Sequence, residues 1–131
     1  MFVDASAICA LILGEPEAES ITSRIEATEV RLTSPIAVFE SVLAVAREFE
    51  GGLSAARRTV LRLLSDLEVR VVSIGPAEQE AALDAHDRFG KGRHPARLNM
   101  GDCFAYACAR ANGVPLLFKG DDFPQTDVWI A

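Results

Sequence analysis

The stretch GDCFAYACARANGVPLLF, residues 101–118, predicts a helix that leads directly into a buried strand. Apolar side chains dominate residues 101–112, and Gly113 follows them as a typical signal for the end of a helix. Residues 114–118 form a short apolar run, which is typical of a strand covered on both faces. A helix followed at once by such a strand favours a parallel sheet packed between helices.

The same alternation continues towards the N-terminus. Short strands are predicted at 1–3, 30–33 and 69–74, and helices at 17–27, 36–49, 54–67 and 77–89. Serine followed by proline at 34–35 marks the start of one helix, since serine caps it and proline fits its first position. We therefore expect a single α/β domain over residues 1–131, with a central parallel sheet flanked by helices on both faces.

Composition narrows the class of protein. Half of the 131 residues are hydrophobic and 24% are charged, which excludes an intrinsically disordered chain. The net charge of −6 argues against a broad basic surface for nucleic acid. Three cysteines without a CxxC pair predict buried free thiols rather than a disulfide framework or a zinc site. No apolar stretch approaches the roughly 20 residues of a membrane span, and no signal peptide is evident, so we expect a soluble cytoplasmic protein.

Acidic residues fall where the predicted strands end. Asp4 follows the first strand, Asp121 and Asp122 follow the strand at 114–118, and Asp102 lies in the first turn of the helix before that strand. In an open α/β sheet, ligands bind beyond the carboxyl ends of the strands, so these carboxylates are expected to converge. Glu40 borders the apolar stripe of its own helix and can join them.

Each acid taken alone has an ordinary structural explanation as a helix cap, a first-turn residue or a loop residue. Four converging carboxylates repel one another unless a divalent cation lies between them. Oxygen ligands select Mg²⁺ or Mn²⁺ over zinc. The acids therefore predict a magnesium or manganese site at one edge of the sheet.

Four segments resemble a known family. They are FVDASA at 2–7, the helix that carries Glu40, LNMGDCFAYA at 98–107 and LFKGDDF at 117–123. With these segments in order, the chain resembles a PIN-domain protein, and more narrowly a VapC-type toxin of a bacterial toxin–antitoxin pair. The resemblance covers the whole chain, and residues 99–107 are its most specific part.

The resemblance implies a metal-dependent endoribonuclease that leaves a 5′-phosphate and a 3′-hydroxyl. Its acidic quartet maps onto Asp4, Glu40, Asp102 and one of the pair Asp121 and Asp122, with Asp122 favoured. Bound Mg²⁺ or Mn²⁺ would acidify a water molecule for attack on an RNA phosphodiester. Ser6 matches the small hydroxyl residue that accompanies the first aspartate and is expected to orient that carboxylate or a metal-bound water.

Substrate binding on an acidic protein requires a local group of cations. Four positive charges stand within ten residues that contain no acid, at Arg88, Lys91, Arg93 and Arg97. This segment leads into the helix that bears Asp102, so it is predicted to hold the RNA backbone, with a solvated loop as the alternative. Tyr106 and Trp129 are both expected to pack in the core.

The resemblance also implies partners. It implies a VapB-type antitoxin that places a side chain in or near the acidic site, where an arginine would pair well with carboxylates. It further implies a homodimer, for which the helices at 17–27 and 36–49 are candidate contacts.

The alternative function is a catalytically inactive PIN-fold binding protein. A phosphotransfer receiver domain and a haloacid-dehalogenase-like phosphatase are disfavoured, because the aspartates that they need are replaced by Gly75 and Ser6.

Overall fold

A four-stranded parallel sheet with six surrounding helices forms the fold in the computed structural model, which describes residues 1–131. The strands are β1 (Phe2–Val3), β2 (Leu32–Thr33), β3 (Arg70–Val71) and β4 (Leu116–Leu117). The helices are α1 (Ala5–Leu13), α2 (Ala18–Glu26), α3 (Pro35–Glu48), α4 (Gly52–Asp66), α5 (Pro76–Phe89) and α6 (Met100–Ala111). A single 3₁₀ turn follows at Phe123–Gln125. The predicted α/β architecture is confirmed.

The order of the strands is β3-β2-β1-β4, so β1 lies inside the sheet between β2 and β4. Phe2 pairs with both Leu32 and Leu116, and all of the pairings are parallel. The last residues of the chain extend this edge, because Ile130 forms a parallel bridge with Leu116. The carboxyl ends of β1 and β4 therefore meet at the same edge of the sheet.

Two hydrophobic clusters cover the two faces of the sheet. Phe2 and Leu116 belong to the cluster formed with α5 and α6, whereas Val3 and Leu117 belong to the cluster formed with α1, α2, α3 and α4. Successive residues of a strand point to opposite faces, so two residues per strand are enough to anchor both layers. Helices on both faces of the sheet were predicted, and this arrangement is confirmed.

Several local predictions need correction. The strand predicted at 69–74 shortens to Arg70–Val71, both exposed, because β3 is the edge strand of the sheet. Tyr106 is buried as predicted, but the prediction for Trp129 was wrong: this side chain is 65% exposed. Cys103 and Cys108 are buried free thiols, and Cys9 is half-buried. None of the helices is both long enough and apolar enough to cross a membrane.

Candidate active site

Asp4 is the innermost acid of the site. It follows β1 directly and is only 5% exposed. It also caps α1, since its Oδ2 accepts hydrogen bonds from Ser6 N at 3.0 Å and from Ser6 Oγ at 2.6 Å. Burial raises the pKa of the Asp4 carboxyl, and the hydrogen bonds from Ser6 act against that rise. Asp4 therefore caps a helix and also lies at the position where the sequence predicts the site.

Ser6 joins the two strand ends that form the site. While its hydroxyl donates to Asp4, the same oxygen accepts a hydrogen bond from Lys119 N at 2.9 Å. Lys119 belongs to the loop after β4, so Ser6 ties that loop to the first carboxylate. This contact fits the predicted orientation of Asp4 by Ser6.

Asp102 lies in the first turn of α6 and is held by a reciprocal capping box. Its Oδ2 accepts from Asn99 N at 2.8 Å, while Asn99 Oδ1 accepts from Asp102 N at 2.9 Å. Burial raises the pKa of Asp102 to about 6, and the charges of Asp4 and Asp122 add to the rise, against the hydrogen bond from Asn99. Asp102 is thus close enough to two other acids to be affected by their charges.

Glu40 reaches the site from α3 and rests against the first turn of α6. Burial raises the pKa of the Glu40 carboxyl, and the charges of Asp4 and Asp102 raise it further. A methyl group on Gly101 would overlap the Glu40 carboxylate, so glycine leaves the space that this side chain occupies. Sequence reasoning missed Gly101 as a site residue. The available signal was a glycine inside the first turn of a helix, where it lowers helix stability.

The two candidates for the fourth acid differ in their relation to Asp102. The charge of Asp122 raises the pKa of Asp102, whereas Asp121 affects none of the other three acids. Asp122 also stands immediately before the 3₁₀ turn, and the carbonyl of Asp121 accepts a hydrogen bond from Gln125 Nε2 at 3.2 Å. Of the predicted site residues, Asp4, Glu40, Asp102 and Asp122 are therefore brought together.

No basic side chain neutralises this acidic cluster, which is defined here as Asp4, Glu40, Asp102 and Asp122. The nearby ammonium of Lys119 instead pairs with Glu15 and, at 3.9 Å, with Glu17. The four carboxylates form an all-oxygen donor set of the kind that Mg²⁺ and Mn²⁺ prefer. As placed, however, no group of three His, Cys, Asp or Glu side chains is arranged to hold a metal ion. The cluster therefore fits a divalent cation in the chemistry of its donors, but not in the arrangement of its side chains as placed.

The predicted RNA-binding cations have different surroundings. Arg88 donates to Asp127 Oδ2 at 2.7 Å and stacks 4.5 Å from the centre of the Phe89 ring, so it is engaged within the fold. Arg93 pairs with Asp87 at 2.8 Å. Lys91 and Arg97 are exposed and form no ion pair, and both lie on the segment that runs into α6. Lys91 and Arg97 are therefore the two of the four cations without a charged partner.

Comparison with known proteins identifies the family. The PIN domain family matches residues 1–128. The chain belongs to the PIN domain family. This PIN domain is 40% identical over 128 residues to ribonuclease VapC30 of Mycobacterium tuberculosis, covering 98% of this chain and 95% of that protein. The predicted resemblance to VapC-type proteins is confirmed.

Solved structures share the PIN fold seen here. VapC20 of Mycobacterium tuberculosis, a toxin that cleaves the sarcin-ricin loop, matches with a TM-score of 0.76 at 22% identity, covering 99% of this chain and 97% of that chain. A toxin–antitoxin complex from Klebsiella pneumoniae matches with a TM-score of 0.72 at 17% identity, covering 99% and 95%. At these identities the comparison supports the fold, and the fold places the acidic cluster beyond the carboxyl ends of β1 and β4.

Proposed function

We propose that this PIN-domain protein is a metal-dependent endoribonuclease that acts as the toxin of a VapBC-type toxin–antitoxin pair. The observation that carries the proposal is the acidic cluster, in which Asp4 is buried, Glu40 and Asp102 are half-buried beside it, and no basic side chain forms an ion pair with any of the four acids. Its relatives are VapC ribonucleases over nearly the whole chain, which supports the same activity. The substrate is RNA, cut at its phosphodiester bonds.

Asp4, Glu40 and Asp102 would hold one or two divalent cations, with Asp122 contributing directly or through water. When bound, Mg²⁺ or Mn²⁺ supplies charge that acidifies water and stabilises the transition state for phosphodiester hydrolysis. The protein's own contribution is positioning. Ser6 fixes the orientation of Asp4, Asn99 fixes that of Asp102, and Gly101 leaves room for Glu40. The two histidines are not needed as bases, and neither perturbs the pKa of an acid in the cluster.

RNA would be held by the segment that precedes α6. Lys91 and Arg97 are exposed and unpaired, and Arg93 can exchange its exposed partner Asp87 for a phosphate. Arg88 contributes less in this proposal, since it already pairs with Asp127. Replacing Lys91 and Arg97 should therefore weaken RNA binding more than replacing Arg88, and should flatten its dependence on salt.

A VapB-type antitoxin is the proposed inhibitor. An arginine of that protein, inserted among the four carboxylates, would supply the positive charge that the cluster lacks and would compete with metal.

We also propose a homodimer. We place its contact on α3, where Phe39 is 63% exposed and Leu43 is 38% exposed, whereas α2 buries its Ile21 and Ile25 in the core.

Cleavage of total bacterial RNA by the purified, antitoxin-free protein tests the proposal. Reactions with Mg²⁺, Mn²⁺ or EDTA would be run for the wild type and for Asp4→Asn, with the cut ends mapped by sequencing. We expect discrete cuts that need metal and disappear in Asp4→Asn. A folded wild-type protein that binds Mn²⁺ but cuts no RNA would favour the inactive binding protein instead.

A further inference from the structure

A pocket of about 280 Å³ opens between α5, the segment at 90–99 and the first turn of α6. Its apolar wall includes Leu83, Met100 and Phe104, and the first two are 59% and 65% exposed. Large apolar side chains are seldom this exposed on a protein surface unless they belong to a binding site. Of its lining residues, only Lys91 and Asn99 have a role described so far.

The pocket adjoins the acidic cluster through shared residues. Asn99 lines it, and the backbone N–H of Asn99 donates to the Asp102 carboxylate at 2.8 Å. Met100 lines it too, and on its other side Met100 borders a cleft that contains Glu40. A molecule bound in the pocket would therefore contact Asn99 and Met100, which adjoin the carboxylates proposed to act on RNA.

The polar groups of the pocket suit one part of a nucleic acid. Gln79, His86, Lys91 and Asn99 line it, and no aspartate or glutamate does, although the protein has a net charge of −6. Amide and imidazole groups can form hydrogen bonds with the edge of a base, and Lys91 can meet a phosphate. Apolar walls with a few polar groups are typical of ligand pockets, including those that take a base out of its stack.

We propose that this pocket takes one nucleobase of the RNA strand next to the phosphodiester that is cut, and that it sets the base preference at that position. The proposal rests on the ribonuclease function proposed above. Leu83 and Met100 would contact the face of the base, while His86, Gln79 and Asn99 would contact its edge. The residues that select the substrate would then be separate from those that hold metal.

Binding of fluorescein-labelled random RNA octamers in EDTA tests the pocket without requiring cleavage. Leu83→Ala and His86→Ala change exposed residues of α5 outside the acidic cluster, so their folding can be verified by thermal unfolding. Leu61→Ala, at an exposed apolar position of α4 outside the pocket, is the matched control. We expect Leu83→Ala to weaken binding about tenfold, as for the loss of a contact with one base, and Leu61→Ala to leave it unchanged.

The sequences at the cut ends, mapped with Mn²⁺ present, give the second readout. We expect a changed base preference at one position beside the cut in Leu83→Ala and in His86→Ala. If the wild type cuts RNA and both variants keep its affinity and base preference, the pocket proposal is wrong while the ribonuclease stands. A change in oligomeric state with an unchanged base preference would also overturn it, in favour of a contact with a second copy. A wild type that neither binds nor cuts RNA would refute the ribonuclease and the pocket together.

Discussion

Asp102 and Asp127 both lie against α6, and their surroundings are opposite. Burial and the charges of other acids raise the pKa of Asp102 to about 6. The pKa of Asp127 is lowered, first by a 2.6 Å hydrogen bond from the Tyr106 hydroxyl and then by Arg88. Arg110 adds a second ion pair to Asp127 at 3.4 Å. The same helix thus carries a carboxylate that is left among like charges, Asp102, and contacts a fully partnered one from the C-terminal segment, Asp127.

This difference is the one expected between a structural carboxylate and a carboxylate that we propose to bind a cation. Buried or partly buried charge lowers stability unless it has partners, and the fold provides them for Asp127. Asp102, Glu40 and Asp4 receive hydrogen bonds or space but no cation. Such a local departure from good pairing is expected at sites that function, where a ligand supplies the missing charge.

Replacing Asp102 or Asp127 with asparagine should give the largest difference in RNA cleavage between two variants. Asp102→Asn keeps an acceptor for Asn99 but removes a charge from the acidic cluster, so RNA cleavage should fall at least about 100-fold while metal-free stability rises. Asp127→Asn should keep cleavage and lose about 1 kcal/mol of stability. Rates on one RNA substrate and urea unfolding in EDTA measure both effects. Equal losses of cleavage in the two variants would show that Asp102 and Asp127 do not differ in function.

Gly101→Ala tests the space beside Glu40. The added methyl group overlaps the Glu40 carboxylate, which can rotate away, while alanine favours the helix. We expect cleavage to fall roughly 10- to 100-fold, as for the loss of a group that orients a metal ligand, with unchanged or higher thermal stability. Gly75→Ala is the control, since a methyl group there meets only an ordinary contact with Glu78. Full activity in Gly101→Ala would show that the position of Glu40 is unimportant.

Added Mn²⁺ should stabilise the protein through the acidic cluster alone. At a hundredfold excess over its dissociation constant, a bound ion contributes about 2.7 kcal/mol, or roughly 10 °C in a domain of this size. Thermal unfolding should show this rise in the wild type and in Asp127→Asn. The rise should be absent in Asp102→Asn and should disappear on adding EDTA. A rise that persisted in Asp102→Asn would place the ion elsewhere.

The two carboxylates should also differ, by a smaller amount, in how pH affects metal-free stability. Asp102 has a folded pKa of about 6 against its ordinary 3.8, so between these values the folded protein binds more protons than the unfolded chain. Its contribution to the free energy of unfolding therefore falls as pH rises through that window. The pKa of Asp127 is lowered, so its contribution is present above 3.8 and is lost only on stronger acidification.

Urea unfolding in EDTA between pH 4.5 and pH 8 measures this difference. The gain in stability of Asp102→Asn over the wild type should grow up to about pH 6.5 and then stay level. The loss in Asp127→Asn should be nearly constant across the same range. A gain in Asp102→Asn that did not vary with pH would contradict a raised pKa at that residue.

Much of this arrangement was predictable from sequence, and the reasons are physical. The apolar runs and the helix signals predicted the α/β order, and the acids after Val3 and Leu117 had to meet because parallel strands end at one edge. The exposure of Val71 was not predictable, since the strand order that makes β3 an edge is a tertiary property. The same holds for Trp129, which lies at the other edge of the sheet, next to the isolated bridge between Ile130 and Leu116 of β4.

Details of the site beyond the acids depended on contacts distant in sequence. Ser6 to Lys119 is a hydrogen bond across 113 positions, and Gly101 makes room for a side chain from α3. In the sequence, Arg88 is one of four cations in a segment without acids, yet it pairs with Asp127, 39 positions away. Local patterns indicate which residues carry charge, and only the fold shows which charges are already partnered.

The most direct test of the account is an anomalous difference map from crystals of the antitoxin-free protein soaked in Mn²⁺. The account predicts a peak between Asp4 and Asp102, at the distance of about 2.1 Å typical of carboxylate oxygens around such an ion, with Glu40 turned towards it. A map with no peak at the acidic cluster, or with its only peak at Asp127, would contradict the claim that these unpaired carboxylates form a metal site.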